Sequence, residues 1–241
     1  MGVVVTSRKL DLSPVSLRQR PVTRLAQLLV GLALFGTSMA CLLRAGLGLD
    51  PWDVLHQGLA PRLGWSFGAV TALTGVLVLL IWIPLRQRPG VGTVANVVVI
   101  ALSVDLALAL IPPATRLGWQ IALMVGGVVL NGIATACYVG ARLGPGPRDG
   151  LMTGLHARTG WSVRWARTGI ELTVLAAGWL LGGTVGVGTV LYAVAIGPLA
   201  QLFLPWMAYR PAPRPTVVPA CAGAAPTPGP GAVLGEEPLA G

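Results

Sequence analysis

Ala45-Gly46-Leu47-Gly48-Leu49-Asp50-Pro51-Trp52-Asp53-Val54-Leu55-His56-Gln57-Gly58-Leu59 returns 96 residues later as Ala141-Arg142-Leu143-Gly144-Pro145-Gly146-Pro147-Arg148-Asp149-Gly150-Leu151-Met152-Thr153-Gly154-Leu155. The shift needs no gap. It also lays Arg62-x-Gly64-Trp65-Ser66 on Arg158-x-Gly160-Trp161-Ser162, Gly90-Val91-Gly92-Thr93-Val94 on Gly186-Val187-Gly188-Thr189-Val190, and Cys41 on Cys137. About thirty of some eighty-five aligned positions are identical. Shared Leu, Val and Ala would follow from any two apolar helices, but a matched set of Pro, Asp, Trp and Gly would not. The period is far longer than that of a solenoid. Duplication of a membrane half-domain accounts for it better.

Composition supports the membrane reading. The chain of 241 residues is 54% hydrophobic and 10% charged, whereas soluble domains carry about 25% charged residues. The net charge of +9 does not point to nucleic acid. A nucleic-acid face needs basic side chains clustered on a folded soluble surface, and here the arginines are scattered between apolar runs. The expected partners are therefore the lipid bilayer and a small solute or ion of unknown identity, with no nucleic acid. No cofactor and no metal are expected. Cys41 and Cys137 read as small packing residues within apolar runs, and Cys221 falls in a Pro/Ala/Gly-rich tail. Metal ligation lacks supporting His or Cys.

A span needs about 20 apolar residues. Six stretches qualify: 25–43, 67–85, 91–111, 119–140, 166–183 and 186–206. The expected organisation is a basic leader over 1–24, a first membrane repeat over 25–115, a second over 119–208, and a disordered tail over 209–241. The first apolar run reads as a retained span rather than a cleaved signal. With the N-terminus in the cytoplasm of a bacterial cell, inside segments hold fourteen Lys and Arg and outside segments three: Arg44, Arg62 and Arg116. That asymmetry predicts six crossings of the plasma membrane with both termini inside. The expected fold class is thus all-α: a polytopic membrane protein of two three-helix repeats. Three is odd, so the second repeat enters with opposite polarity, an arrangement common in transporters.

Each repeat carries a short helix after its first span. Pro51 and Pro147 suit a first helical turn, and Asp53 and Asp149 place a carboxylate beside the positive helix end. About 10 to 14 residues cannot span a bilayer. Two readings of these stretches stand side by side. Either the short helices re-enter from opposite sides and meet near the middle, where Asp53, Asp149 and His56 would face a polar cavity, or both lie flat at the interface. Asp105, within the third span, is a further candidate for an ion or substrate pathway, or for an interhelical hydrogen bond. Glu171 reads as the partner of Arg164 or Arg167, and His156 as solvated. Asn96 and Asn131 read as interhelical hydrogen-bonding residues, and Gly31, Gly36, Gly126, Gly127 and Gly132 as packing positions.

The Pro-x-Asp pair, with Gly48 or Gly144 before it and Leu-x-x-Gly-Leu (ending Gly58-Leu59 or Gly154-Leu155) after it, resembles the YczE group of the YitT-like bacterial integral membrane proteins. The resemblance covers roughly residues 24–208, and Gly48-x-x-Pro51-Trp52-Asp53 is its most specific element. It implies a multi-span membrane location and carries no substrate or reaction. The second copy departs from it in placing Arg148 where the first has Trp52. Candidate pathway residues are therefore Asp53, Asp149, Asp105, His56, Trp52 and Arg148, on a backbone shaped by Gly48, Pro51, Gly58, Gly144, Pro147 and Gly154.

Catalysis has little sequence support, since no Ser/His/Asp set and no soluble domain stand out, and no enzyme is expected. A small-solute transporter or permease is the leading function, by analogy of architecture. A channel-like facilitator and a non-transporting membrane scaffold or regulator are the alternatives.

Overall fold

The computed structural model describes residues 19–209. The basic leader before residue 19, the tail from 210 onward and Cys221 lie outside the described residues. Among these residues the protein is all-α, with eight helices: α1 (Pro21–Ala45), α2 (Pro51–Leu63), α3 (Phe67–Leu85), α4 (Val91–Leu110), α5 (Leu117–Gly140), α6 (Pro147–Thr159), α7 (Val163–Leu180) and α8 (Val187–Met207). Adding 96 to the bounds of α2 gives those of α6, and the same shift carries α1, α3 and α4 onto α5, α7 and α8 to within one residue. The sequence repeat is a repeat of helices.

The repeated punctuation has a local cause. Pro51 and Pro147 occupy the first helical turn, where the absent N–H is not missed. Arg-x-Gly-Trp-Ser is a stop followed at once by a start. Gly64 and Gly160 end the short helices at φ 67° and 72°. Ser66 and Ser162 then accept from Ala69 N and Trp165 N at 3.1 and 3.3 Å, capping α3 and α7.

Five helices, α1, α3, α4, α5 and α8, are long and apolar enough to cross a membrane. Their outer faces expose Leu77, Leu80, Val94, Val98, Leu102, Leu106, Val190 and Val194, a surface that water would not tolerate as one contiguous patch. This is a polytopic helical membrane protein. The expected span over 166–183 is observed as α7, which falls outside the apolar set. It carries Arg164, Arg167 and Glu171 in its first half, and Arg167 and Glu171 line an internal cavity.

Packing is reciprocal between the repeats. Where α1 crosses α5, a Cβ on Gly31 would lie 3.1 Å from Cys137 Cβ, and one on Gly127 would lie 3.3 Å from Cys41 Cβ. Residues 31 and 127, and 41 and 137, are repeat equivalents, so each half lends its glycine to the other's cysteine. Likewise Gly36 meets Ser103 of α4, and Gly132 meets the equivalent Leu199 of α8. Gly126, expected to pack, has nothing within 4 Å of an added Cβ. It lies one position off the contact stripe that holds Gly127.

The Leu-Gly and Gly-Val-Gly-Thr motifs lock across the repeats. Gly188 N donates to Leu47 O at 2.8 Å, and Gly92 N to Leu143 O at 3.1 Å. Gly48 and Gly144 hold φ of 117° and 134°, a backbone that a side-chain-bearing residue rarely adopts.

The helices fall into two groups of four. One joins α1, α4, α5 and α8; the other joins α2, α3, α6 and α7. Each repeat gives two helices to each group. The groups meet chiefly where α3 packs along α4, with a slighter contact between α4 and α6. The equivalent α7–α8 packing is much slighter than that of α3 on α4.

In the second group α6 lies on α3 and α2 on α7. A Cβ on Gly150 would come within 1.9 Å of the Trp82 ring, whose Nε1 donates to Pro147 O at 3.0 Å. At the equivalent interface a Cβ on Gly178 would come within 2.4 Å of Leu55 N and 2.6 Å of Val54 C. Bulk comes from α3 in one case and from α2 in the other.

Contacts sort the helix ends into two sets. Arg24 at the start of α1 donates to Ala141 O and Arg142 O after α5, and Arg158 at the end of α6 bonds Pro84 O. At the other end of α1, Ala114 N donates to Arg44 O, and Arg62 at the end of α2 reaches Leu181 O. The sequence placed Arg24 at the end of a basic leader expected to lie free or on the lipid surface. It is instead fully buried within α1, because Pro21 starts the helix early and the guanidinium satisfies carbonyls left open at the end of α5.

Candidate functional site

The N-terminal ends of α2 and α6 meet between the two helix groups, beside a cavity of about 220 Å³. Asp50 precedes α2 and caps it, its Oδ1 accepting from Asp53 N at 2.7 Å. Its other oxygen, Oδ2, accepts from Arg148 Nη1 at 3.1 Å. Arg148 Nη2 lies 3.8 Å from Asp53 Oδ1, and the guanidinium sits over the Trp52 ring, 5.1 Å from its centroid. Positions 52 and 148 are repeat equivalents, so equivalent residues touch one another.

Behind this contact lies a polar chain. His56 Nδ1 is 3.3 Å from Asp53 Oδ1, and its Nε2 is 2.7 Å from Thr74 Oγ1. Thr71 Oγ1 lies 3.3 Å from the same Nδ1. Asp50, Asp53 and His56 are each 1% exposed or less. Asp53 Oδ2 and Trp52 Nε1 are buried with no hydrogen-bond partner. Opposite, Tyr138 OH donates to Asp149 Oδ2 at 3.3 Å. Tyr192 OH donates to Asn131 Oδ1 at 3.1 Å, and Asn131 Nδ2 to Ser38 Oγ at 2.8 Å. Arg167 and Glu171 pair at 2.9 Å across one helical turn and line the same cavity.

Around the α2–α6 junction stand Asp50, Asp53 and Asp149, with Arg148 against the first two and the Arg167–Glu171 pair lining the same cavity. No group of three His, Cys, Asp or Glu among the described residues is arranged to hold a metal ion.

Five of the six residues singled out in the sequence gather here: Asp53, Asp149, His56, Trp52 and Arg148. Asp105 does not. Its Oδ1 accepts from Gly68 N at 2.7 Å and its Oδ2 from Ser66 Oγ at 2.6 Å, tying the start of α3 to α4. The backbone candidates act by close approach: Gly58 against Leu181 and Gly154 against the equivalent Leu85. Replacing Asp105 with alanine is expected to cost about 1–2 kcal/mol by removing the acceptor of a helix-start N–H. Thermal unfolding in detergent would check this, with the Arg148–Asp50 contact left unaffected.

Sequence reading passed over Asp50, Thr74, Tyr138 and Tyr192. Asp50 was legible as the acid immediately before a helix-starting Pro. Tyr138 and Tyr192 carried no motif, and only the packing of α5 and α8 turns them inward.

Residues 22–205 match the model of a family of unknown function, DUF6198. The chain belongs to that family. Similar proteins include one from Haemophilus influenzae, named only as uncharacterized, 40% identical over 76% of this chain and 84% of its own length. The uncharacterized membrane protein YczE of Bacillus subtilis is 37% identical over 71% and 80% respectively, in agreement with the resemblance of the Pro-x-Asp motif. YyaS of the same organism, also uncharacterized, is 24% identical over 73% of this chain. No solved structure matches. The DUF6198 match spans both repeats and so takes in the whole α2–α6 junction.

Proposed function

We propose that this protein is a small-solute transporter of the plasma membrane, built from two inverted repeats, with its termini in the cytoplasm and its solute site at the α2–α6 junction. One observation carries the reading: the N-termini of two short helices, one from each repeat, meet at a charged cavity inside an apolar bundle. Irregular backbone and ionised groups at such depth persist only where protein or water satisfies them. Two sets of helix ends, with α1 running from one to the other, support opposite orientations of the halves. They also support re-entrant rather than flat short helices, because each begins at the junction and ends beside the terminus of α7 or α3.

The mechanism follows from the two groups of four. Rocking α2, α3, α6 and α7 against α1, α4, α5 and α8 would open the cavity to one side and then the other. The slight α7–α8 packing leaves one seam of the boundary less tightly held than the α3–α4 seam. The side chains of the junction bind and orient the solute, and no bond is made or broken, so the protein acts without catalysis.

Orientation is tested with Leu63→Cys and its repeat equivalent Thr159→Cys in a background lacking native cysteines. A membrane-impermeant maleimide is expected to label position 63 in intact cells and position 159 only after permeabilisation; labelling of both from one side overturns the inversion. Transport is tested by loading proteoliposomes from a metabolite extract and reading uptake by mass spectrometry. Saturable uptake lost in Asp53→Asn supports a carrier, and uptake that never saturates supports a channel. A scaffold role would be left if nothing enters.

A further inference from the structure

We infer that the α2–α6 junction is an organic-cation site, and that Arg148 is its displaceable resident. The inference rests on the solute-site reading and names its substrate class. A charged cavity beside two helix N-termini invites an anion instead, but here each N-terminus already carries carboxylates in or beside its first turn, Asp50 and Asp53 on α2 and Asp149 on α6. Asp50 accepts from Asp53 N, and the guanidinium of Arg148 is engaged by Asp50 at 3.1 Å with Asp53 at 3.8 Å. The buried side-chain atoms left without a partner at the junction are one donor, Trp52 Nε1, and one carboxylate oxygen. Asp53 is fully buried, and its Oδ2 has no partner. Trp52 presents its face to the guanidinium, and Tyr138 and Tyr192 line the cavity with it.

Two carboxylates and an aromatic face are how proteins hold guanidinium and ammonium groups. In this protein they hold one that belongs to the chain. Arg148 has the exposure expected of a removable occupant: its side chain is 27% exposed, against 2% and 0% for Asp50 and Asp53. A solute cation entering from the cavity takes over the Asp50 pairing and the Trp52 face, and the Arg148 side chain swings aside. The exchange is felt between the two repeats, because Arg148 rides on α6 while Asp50 precedes α2.

The cation can be a free solute or the head of a bilayer amphiphile. A second, apolar cavity between α2, α3, α6 and α7 shares Trp52, Thr74 and Val78 with the first, giving a tail a path to lipid.

The test measures binding to the purified full chain in nanodiscs by calorimetry with three isosteric probes: benzamidinium, neutral benzamide and anionic benzoate. Benzamidinium is expected to bind about tenfold or more tighter than either of the others. Asp50→Asn, which keeps the cap acceptor, should weaken it about tenfold. Trp52→Leu should weaken it while Trp52→Phe, which keeps a ring face, should not. Arg148→Gln should tighten it, since the competitor is gone. Dodecylguanidinium separates the sources: tighter binding than benzamidinium assigns the cation to an amphiphile, and weaker binding to a free solute. The inference is overturned if benzoate binds best, if Arg148→Gln abolishes binding of the preferred probe, or if no probe binds either wild type or Arg148→Gln. Binding in the expected pattern without uptake in proteoliposomes would remove transport and leave the cation site. Uptake of anions abolished by Arg148→Gln would do the reverse.

Discussion

Replacing Gly150 with valine is expected to leave little folded protein. An added Cβ alone would sit 1.9 Å from the Trp82 ring, far inside van der Waals contact. The indole cannot step back freely, because Nε1 is held by Pro147 O at 3.0 Å and the ring is 1% exposed. Overpacking a tight core costs about 1–3 kcal/mol for extra methylenes, and losing the indole hydrogen bond adds about 1 kcal/mol. A total of about 2–4 kcal/mol is a large share of the stability of a typical domain. Fluorescence-detected size exclusion and thermal unfolding would read the loss. Trp82→Leu in the same chain should restore much of it, since space and bulk are then rebalanced; wild-type melting of Gly150→Val alone would contradict the packing described.

Removal of Arg148 as Gln should destabilise the unliganded protein by about 3 kcal/mol, the low end for breaking a buried pair because the guanidinium is partly open to the cavity. The cause is what remains: two buried carboxylates with no cation between them. Adding Asp50→Asn should therefore recover at least half of the loss, a coupling that independent sites would not display. Additive losses in the double variant would mean that Arg148 stabilises α6 by packing alone. The measurement is a double-mutant cycle on thermal or denaturant unfolding in one detergent.

Much of this was legible in residue order. Proline before an acid, glycine after the last periodic position and serine at the next start set the bounds of α2, α3, α6 and α7 by local backbone chemistry, which needs no partner. The repeat foretold that residues 51–63 and 147–159 would fold alike. What repetition could not foretell is which equivalent residues touch. Trp52 and Arg148 read as a lapse in symmetry until the fold sets one against the other. Asp105 had the chemistry of a pathway residue, yet α4 places it over the start of α3, where two open donors claim it. The charged half of α7 lowered its hydropathy below that of the other long helices, because Arg167 and Glu171 serve the cavity rather than the lipid. Gly126 shows the limit of counting small residues, since a shift of one position on a helix turns a glycine away from its neighbour.

The unequal fit of α3 on α6 and α2 on α7 bears on how the halves could ever have been separate. Two copies of the first half would drive Trp82 into Val54 and gather four acids without an arginine. Two copies of the second would set Gly178 beside Gly150, leaving a hole the size of an indole. Each half thus supplies the space that the other half fills, and carrying both in one chain guarantees that every molecule contains one of each.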